Sequence, residues 1–122
     1  MDNLTPPSST RAIGSGPAPT SVKEEVARIR LAINAGDGVA AGRDAEKLLA
    51  SVDASDRALV LNAIAHLHAA NGDILALGRV AAEARSAAQL HGDTENEAEA
   101  ILHTGHALQM IEDHAAAIKY FV

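Results

Sequence analysis

The sequence predicts an all-α protein built from antiparallel helical hairpins. All four prolines lie within the first 21 residues, and none occurs from Val22 onward. Because proline interrupts helices and marks loops, its absence over this length favours continuous helical structure. Hydrophobic residues make up 48% of the chain, but aromatic residues only 2%. Much of the apolar fraction is alanine, no alternating strand pattern occurs, and apolar side chains recur at helical spacing.

The first 21 residues differ in composition from the rest of the chain. They are rich in proline, serine, threonine and glycine, and contain few large apolar side chains. Such a segment cannot offset the entropy lost on ordering. We therefore expect a flexible leader over residues 1–21 and one helical domain over residues 22–122.

Caps and glycines predict the limits of the first helices. Ser21 and Glu24 have the spacing of a capping box, in which each side chain accepts from the backbone of the other residue. Residues 36–38 (Gly-Asp-Gly) predict the end of one helix and the start of the next. The polar residues 51–56 form a connector, and residues 72–73 (Gly-Asp) repeat the earlier break.

The second half of the chain continues this pattern. A fourth helix is predicted from about Ile74 to Leu90, and Thr94 with Glu97 predicts a capping box for a fifth helix. We expect that helix to end near Ile111, and a sixth to begin after the polar residues 112–113 (Glu-Asp).

The three breaks, at residues 36, 72 and 112, are separated by 36 and then 40 positions. A regular period of this size indicates a helical array in which neighbouring hairpins complete the core. The predicted hairpins span about 22–51, 55–91 and 94–122, and the last is incomplete.

These hairpins resemble the tetratricopeptide repeat family. The family pattern has a large apolar residue, a small residue four positions later, an apolar residue after three more, and a Gly-Asp turn. A small residue and an aromatic residue then follow in the second helix. The last unit fits with Ile101, Gly105, Leu108, Glu112, Asp113, Ala117 and Phe121, and the middle unit with Leu61, Ile64, Ala65, His68, Gly72, Asp73, Leu77, Ala81 and Ala84.

The resemblance implies a superhelix with a concave groove that binds protein or peptide partners. The longer, 40-residue unit resembles the variant found in bacterial regulatory and signalling proteins. These include sensory regions placed ahead of diguanylate cyclase or transcriptional output domains. By the register of the family, seven residues line the groove that binds the partner: Asn62, His66, Glu99, His103, His106, Gln109 and Met110.

Other positions and roles stay open at this point. In the first unit the same register selects Lys23, Arg30 and Asn34, although Arg30 also suits a solvated surface. His103 and His106 lie three apart on one helix, a spacing that can bind a metal ion. No third ligand is evident, so we predict no metal site. A small-ligand or metal-responsive sensor that uses the groove histidines is the alternative function.

Composition excludes several classes of function. The net charge of −6 and the scattered basic residues disfavour nucleic acid as a partner. The absence of cysteine excludes disulfides and thiolate zinc sites. No secretory signal and no membrane-length apolar run occur, so we expect a cytoplasmic protein without a membrane segment. No nucleophile elbow or phosphate-binding loop is present, which predicts a non-enzymatic segment without a cofactor.

The chain ends on an apolar helical sequence at Tyr120, Phe121 and Val122. Helices usually end in polar or capping residues. We therefore expect a longer protein with further structure after residue 122. We also expect the present chain to form a homo-oligomer through this C-terminal face.

Overall fold

The computed structural model describes residues 21–120, with the side chain of Tyr120 left aside. The residues described form five α-helices and no strand, which confirms the all-α prediction. The leader predicted over residues 1–21 lies outside this range except for Ser21, as do Phe121 and Val122. The helices are α1 (Val22–Asn34), α2 (Gly38–Ser51), α3 (Arg57–Asn71), α4 (Ile74–Leu90) and α5 (Thr94–Tyr120), with a short 3-10 turn at Ala54–Asp56 before α3.

The first helix begins as its sequence predicts. The amide of Glu24 donates to the Ser21 hydroxyl at 3.1 Å, and the amide of Ser21 donates to the Glu24 carboxylate at 3.0 Å. Gly36 and Gly72 follow the first and third helices with φ of 87° and 72°. This left-handed conformation favours glycine, which explains why each helix stops there.

The start of α5 differs from the predicted capping box at Thr94 and Glu97. Asp93 supplies the cap instead, because its carboxylate accepts from the amide of Asn96 at 3.1 Å. Thr94 is already helical, so its hydroxyl lies one position too late. The Glu97 side chain turns toward α4, where it accepts from Gln89 at 2.9 Å.

The predicted break at residues 112–113 is wrong, because α5 runs without interruption from Thr94 to Tyr120. Neither Glu112 nor Asp113 opposes helix formation as glycine or proline would. Asp113 also accepts a hydrogen bond from Gln109, one turn earlier, at 3.1 Å. The third hairpin and the sixth helix therefore do not form within residues 94–120, and Ala117, expected in a separate helix, is an exposed residue of α5.

The core surrounds α3, which contacts each of the other four helices. In the middle hairpin, the apolar positions of the repeat pattern are buried: Leu61, Ile64, Ala65, Leu77, Ala81 and Ala84. His68, which fills another position of the pattern, is half-buried. Val26, Ile29 and Ile33 of α1, with Ala41 and Ala45 of α2, complete the core on the other side. Small side chains on the packed faces let the helix axes approach closely.

Two glycines of α2 illustrate this close packing. A methyl group added at Gly38 or Gly42 would lie 3.3 or 3.2 Å from the Leu67 side chain of α3. These glycines are four positions apart and therefore lie on one face of α2. Leu67 packs directly against that face.

Helices in contact include alternate as well as consecutive pairs. α1 contacts α3, and α3 contacts α5, while α2 and α4 each contact the helices before and after them. The first, third and fifth helices are therefore neighbours in that order. Side chains from distant parts of the chain meet where these three helices adjoin.

Candidate functional site

A cluster of polar side chains joins α1, α3 and α5. Arg30 donates through Nη2 to Glu99 Oε2 at 2.8 Å, and Arg30 Nη1 lies 3.3 Å from Nδ1 of His66. His103 Nε2 lies 3.0 Å from the same Glu99 oxygen, one helical turn along α5. We refer to Arg30, His66, Glu99 and His103 as the polar cluster.

The positions of the protons follow from the partners. A guanidinium can only donate hydrogen bonds, so Nδ1 of His66 must accept from Arg30. His66 is therefore neutral and carries its proton on Nε2. The ionised Glu99 can only accept, so His103 carries a proton on Nε2.

The surroundings shift two pKa values in the polar cluster. The hydrogen bond from His103 lowers the pKa of Glu99 below its ordinary value, and Arg30 adds to this effect against the opposing cost of burial. Burial lowers the pKa of His66, and the charges of Arg30 and His103 lower it further. Both shifts favour an ionised Glu99 beside a neutral His66 at neutral pH.

The polar cluster is open to solvent on one side. The Arg30 and Glu99 side chains are about a quarter to a third exposed, at 26% and 31%, and His103 is more buried at 14%. Solvent screens an ion pair at such a position, so its contribution to stability is modest. The remaining donors and acceptors of these groups can contact another molecule without the core being opened.

The structure brings together three of the seven predicted groove residues: His66, Glu99 and His103. His106 and Gln109 are exposed outside the cluster, and Gln109 bonds to Asp113 on its own helix. Met110 is half-buried against the hydrophobic core.

Asn62 is the clearest departure from the predicted groove, because it is fully buried. Its amide donates to the backbone oxygen and to Oδ1 of Asn96, both at 3.0 Å. The Asn62 side-chain oxygen has no partner among the described residues. Asn62 therefore joins α3 to α5 inside the protein and is not available to a partner.

Arg30 is the functional candidate whose role the sequence left open. It precedes His66 by 36 positions, the spacing of the first two breaks in the repeat. Equivalent positions of stacked repeats lie side by side, so a spacing of 36 residues could have indicated that Arg30 lies beside His66. The Glu99–His103 pair could be read from its spacing of four within one helix.

Residues 21–120 contain no group of three or more histidine, aspartate or glutamate side chains close enough to hold a metal ion. The alternative function, a metal-responsive sensor, therefore stays a prediction, and residues 21–120 offer no set of ligands for the metal ion. Among the same residues, no helix combines the length and the apolar character that a membrane crossing requires.

Comparison with protein-family models, with curated proteins and with solved structures finds no match to this chain.

Proposed function

We propose that this chain is an interaction module that binds a polypeptide along the face formed by α1, α3 and α5. The observation that carries the proposal is the polar cluster, in which residues up to 69 positions apart meet on one face. The contacts between alternate helices and the repeated Gly-Asp breaks support a superhelical arrangement like that of tetratricopeptide repeats.

The chemistry of the polar cluster suits a polypeptide better than a compact anion. Arg30 is already paired with Glu99, so its charge is partly neutralised and less available to a free anion. His66 Nε2 remains a donor and the Glu99 carboxylate remains an acceptor, which together match the amide and carbonyl groups of a peptide backbone. Because the helices hold these groups in place before binding, little side-chain entropy is lost on association.

The resemblance to long tetratricopeptide-type repeats supports a regulatory setting for this module. We propose that it acts as a scaffold in a bacterial signalling protein, for example one with a diguanylate cyclase or transcriptional output domain. The repeats would then hold a partner at a fixed position relative to the output domain.

Selection of peptides from a phage-displayed random library tests the binding face. We expect peptides selected on the native chain to lose at least about tenfold in affinity, or about 1.4 kcal/mol, for Arg30→Gln and Glu99→Gln. Arg79→Gln is the matched control, because Arg79 is exposed on α4, away from the cluster. Circular dichroism verifies that all three variants are folded.

Two results would contradict the proposal. The first is a library that yields no peptide with affinity better than about 100 µM, or about −5.5 kcal/mol. The second is a set of peptides that bind the two cluster variants as tightly as the native chain.

A further inference from the structure

One side of α5 carries an apolar stripe that the described residues leave about half exposed. Its four large residues are 45%, 59%, 49% and 54% exposed. With Thr104 and Ala115 they alternate at spacings of three and four, the repeat of a helix that pairs with another helix. We refer to these six residues as the α5 stripe: Ile101, Thr104, Leu108, Ile111, Ala115 and Ile118.

The equivalent part of α3 shows what the α5 stripe lacks. Leu61 lies 40 positions before Ile101 and is only 2% exposed, because α3 is surrounded by four helices. The main neighbours of α5 are α3 and α4, so one side of it has no helix beside it. The α5 stripe therefore has the composition of a packed face and needs an apolar helix to cover it.

We propose that the α5 stripe of a second copy of this chain covers it, with the two helices antiparallel. In this orientation Ile101 pairs with Ile118 of the second copy, and Leu108 pairs with its Ile111. Between these large pairs, Thr104 meets Ala115 of the second copy. Two adjacent Leu108–Ile111 layers therefore lie at the centre, a small Thr104–Ala115 layer flanks them on each side, and an Ile101–Ile118 layer closes each end, because the two-fold axis repeats each pair.

Charge favours the antiparallel orientation over the parallel one. The first turn of α5 carries Glu95 and Glu97, whereas its last turn carries Lys119. Antiparallel pairing places Lys119 of one copy opposite Ala100 of the other, within about one turn of Glu97, and the helix dipoles also oppose one another favourably. A parallel pair would bring the glutamates of the two copies together.

The exposed area is sufficient for a dimer of moderate affinity. The four large side chains offer on the order of 400 Å² per copy, within the roughly 300–600 Å² of the largest apolar patch on a typical monomer. Two copies with the flanking atoms of both helices would approach the roughly 1,200 Å² at which stable interfaces begin.

This interface is separate from the polar cluster. Successive residues of a helix are rotated by about 100°, so Glu99 and His103 lie on the side of α5 opposite Ile101 and Leu108. A dimer would therefore leave both binding faces open. The self-association expected through Tyr120, Phe121 and Val122 concerns side chains outside the described residues, whereas the α5 stripe lies within them.

Sedimentation velocity over protein concentrations from about 1 µM to about 500 µM tests the dimer. We expect a monomer–dimer equilibrium, and Leu108→Glu should raise its dissociation constant at least about 100-fold because a carboxylate would be buried. Leu108 is more than half exposed in one copy, so the variant should still fold. Val39→Glu, at an exposed position of α2, is the matched control and should dimerise normally.

Disulfide trapping tests the orientation, because the chain contains no cysteine. In the double variant Ile101→Cys/Ile118→Cys, the two sites of one chain are about 25 Å apart along α5, too far for a bond within it. The proposal predicts a crosslink between position 101 of one copy and position 118 of the other, identified by mass spectrometry of peptides.

Three outcomes would overturn the proposal. One is a monomer over the whole concentration range, which would leave the α5 stripe to a helix of another protein. Another is dimerisation that Leu108→Glu and Val39→Glu weaken equally or not at all. The third is a crosslink joining position 101 only to position 101. Failure of peptide binding at the polar cluster would affect none of these measurements.

Discussion

The repeat predicted from the sequence gives the third and fifth helices equivalent places, but the two helices differ in how much of their surface is buried. Val60 and Leu67 of α3 are buried, and so are Ala100 and Ala107, 40 positions later in α5. On the neighbouring side of each helix, the exposure of the side chains differs. Leu61 is almost completely buried, whereas the equivalent Ile101 is nearly half exposed.

This comparison shows that an apolar pattern specifies a face but not its partner. In both helices the face toward the preceding hairpin is buried. The other face is buried in α3, where α4 follows after Gly72, and exposed in α5, which continues as one helix past residue 113. Paired substitutions at equivalent positions therefore measure how much the neighbouring helices contribute to the free energy of unfolding.

The largest difference is expected between Leu61 and Ile101. Leu61→Ala should lower the free energy of unfolding by about 2–5 kcal/mol, because it leaves a cavity in the core. Ile101→Ala should lower it by less than about 1 kcal/mol, since much of that side chain already faces solvent. Urea denaturation at low protein concentration measures both. Equal losses would show that α5 is covered in the monomer.

A smaller difference is expected between Asn62 and Leu102, which is the equivalent residue of α5. Asn62→Ala removes both hydrogen bonds to Asn96 inside the protein and should cost about 1–3 kcal/mol. Leu102→Ala, at an exposed site, should change stability by no more than about 0.5 kcal/mol. The same denaturation experiment compares them, and an unchanged stability of Asn62→Ala would contradict the buried contact.

Next in size is the pair Ala65 and Gly105. Gly105→Ala should stabilise the protein by about 0.5–1 kcal/mol, because alanine favours a helix and the added methyl group meets nothing within 4 Å. The reverse change, Ala65→Gly in the buried helix, should destabilise it by about 1 kcal/mol or more. Thermal unfolding followed by circular dichroism detects the opposite signs. A destabilised Gly105→Ala would show that another group occupies this space.

The smallest effect concerns pH and the pair His66 and His106. Burial holds the pKa of His66 below its ordinary value of 6.5, Arg30 and His103 lower it further, and Glu99 partly opposes them. Below that value the unfolded chain binds a proton that the folded chain does not, so stability falls as the pH falls. His106 is exposed and lies outside the cluster.

Lowering the pH from about 7.5 to about 5.5 should therefore lower the Tm of the native chain more than that of His66→Asn. His106→Asn is the control and should show the same pH dependence as the native chain. The ionisation of Glu99 does not interfere, because its lowered pKa lies below this range. A similar pH dependence for the native chain and His66→Asn would contradict the neutral state assigned to His66.

Sequence reasoning predicted the first four helices well because local chemistry determines their ends. The capping box at Ser21 and the left-handed glycines at positions 36 and 72 act within a few residues. The buried faces of α3 and α4 followed from helical periodicity. The polar cluster was predicted in part: His66, Glu99 and His103 were selected, but their contacts with Arg30 depend on how α1, α3 and α5 adjoin.

Two failures of prediction share one cause. Glu112 and Asp113 matched a repeat position, but neither has the backbone preference that ends a helix. Asn62 matched a groove position, but the stacking of α3 on α5 buried it against Asn96. Both inferences relied on a family pattern. The physical properties of the residues themselves required neither a helix break at positions 112–113 nor an exposed side chain at Asn62.

By itself, the sequence determined the helical class, the limits of α1 to α4 and the apolar faces, because capping, glycine conformation and periodicity are local properties. The tertiary structure alone decided the burial of Asn62 and the joining of Arg30 to Glu99 across 69 positions. These features depend on which helices become neighbours. Packing of the whole chain determines that choice, because each hairpin buries its apolar face only against another.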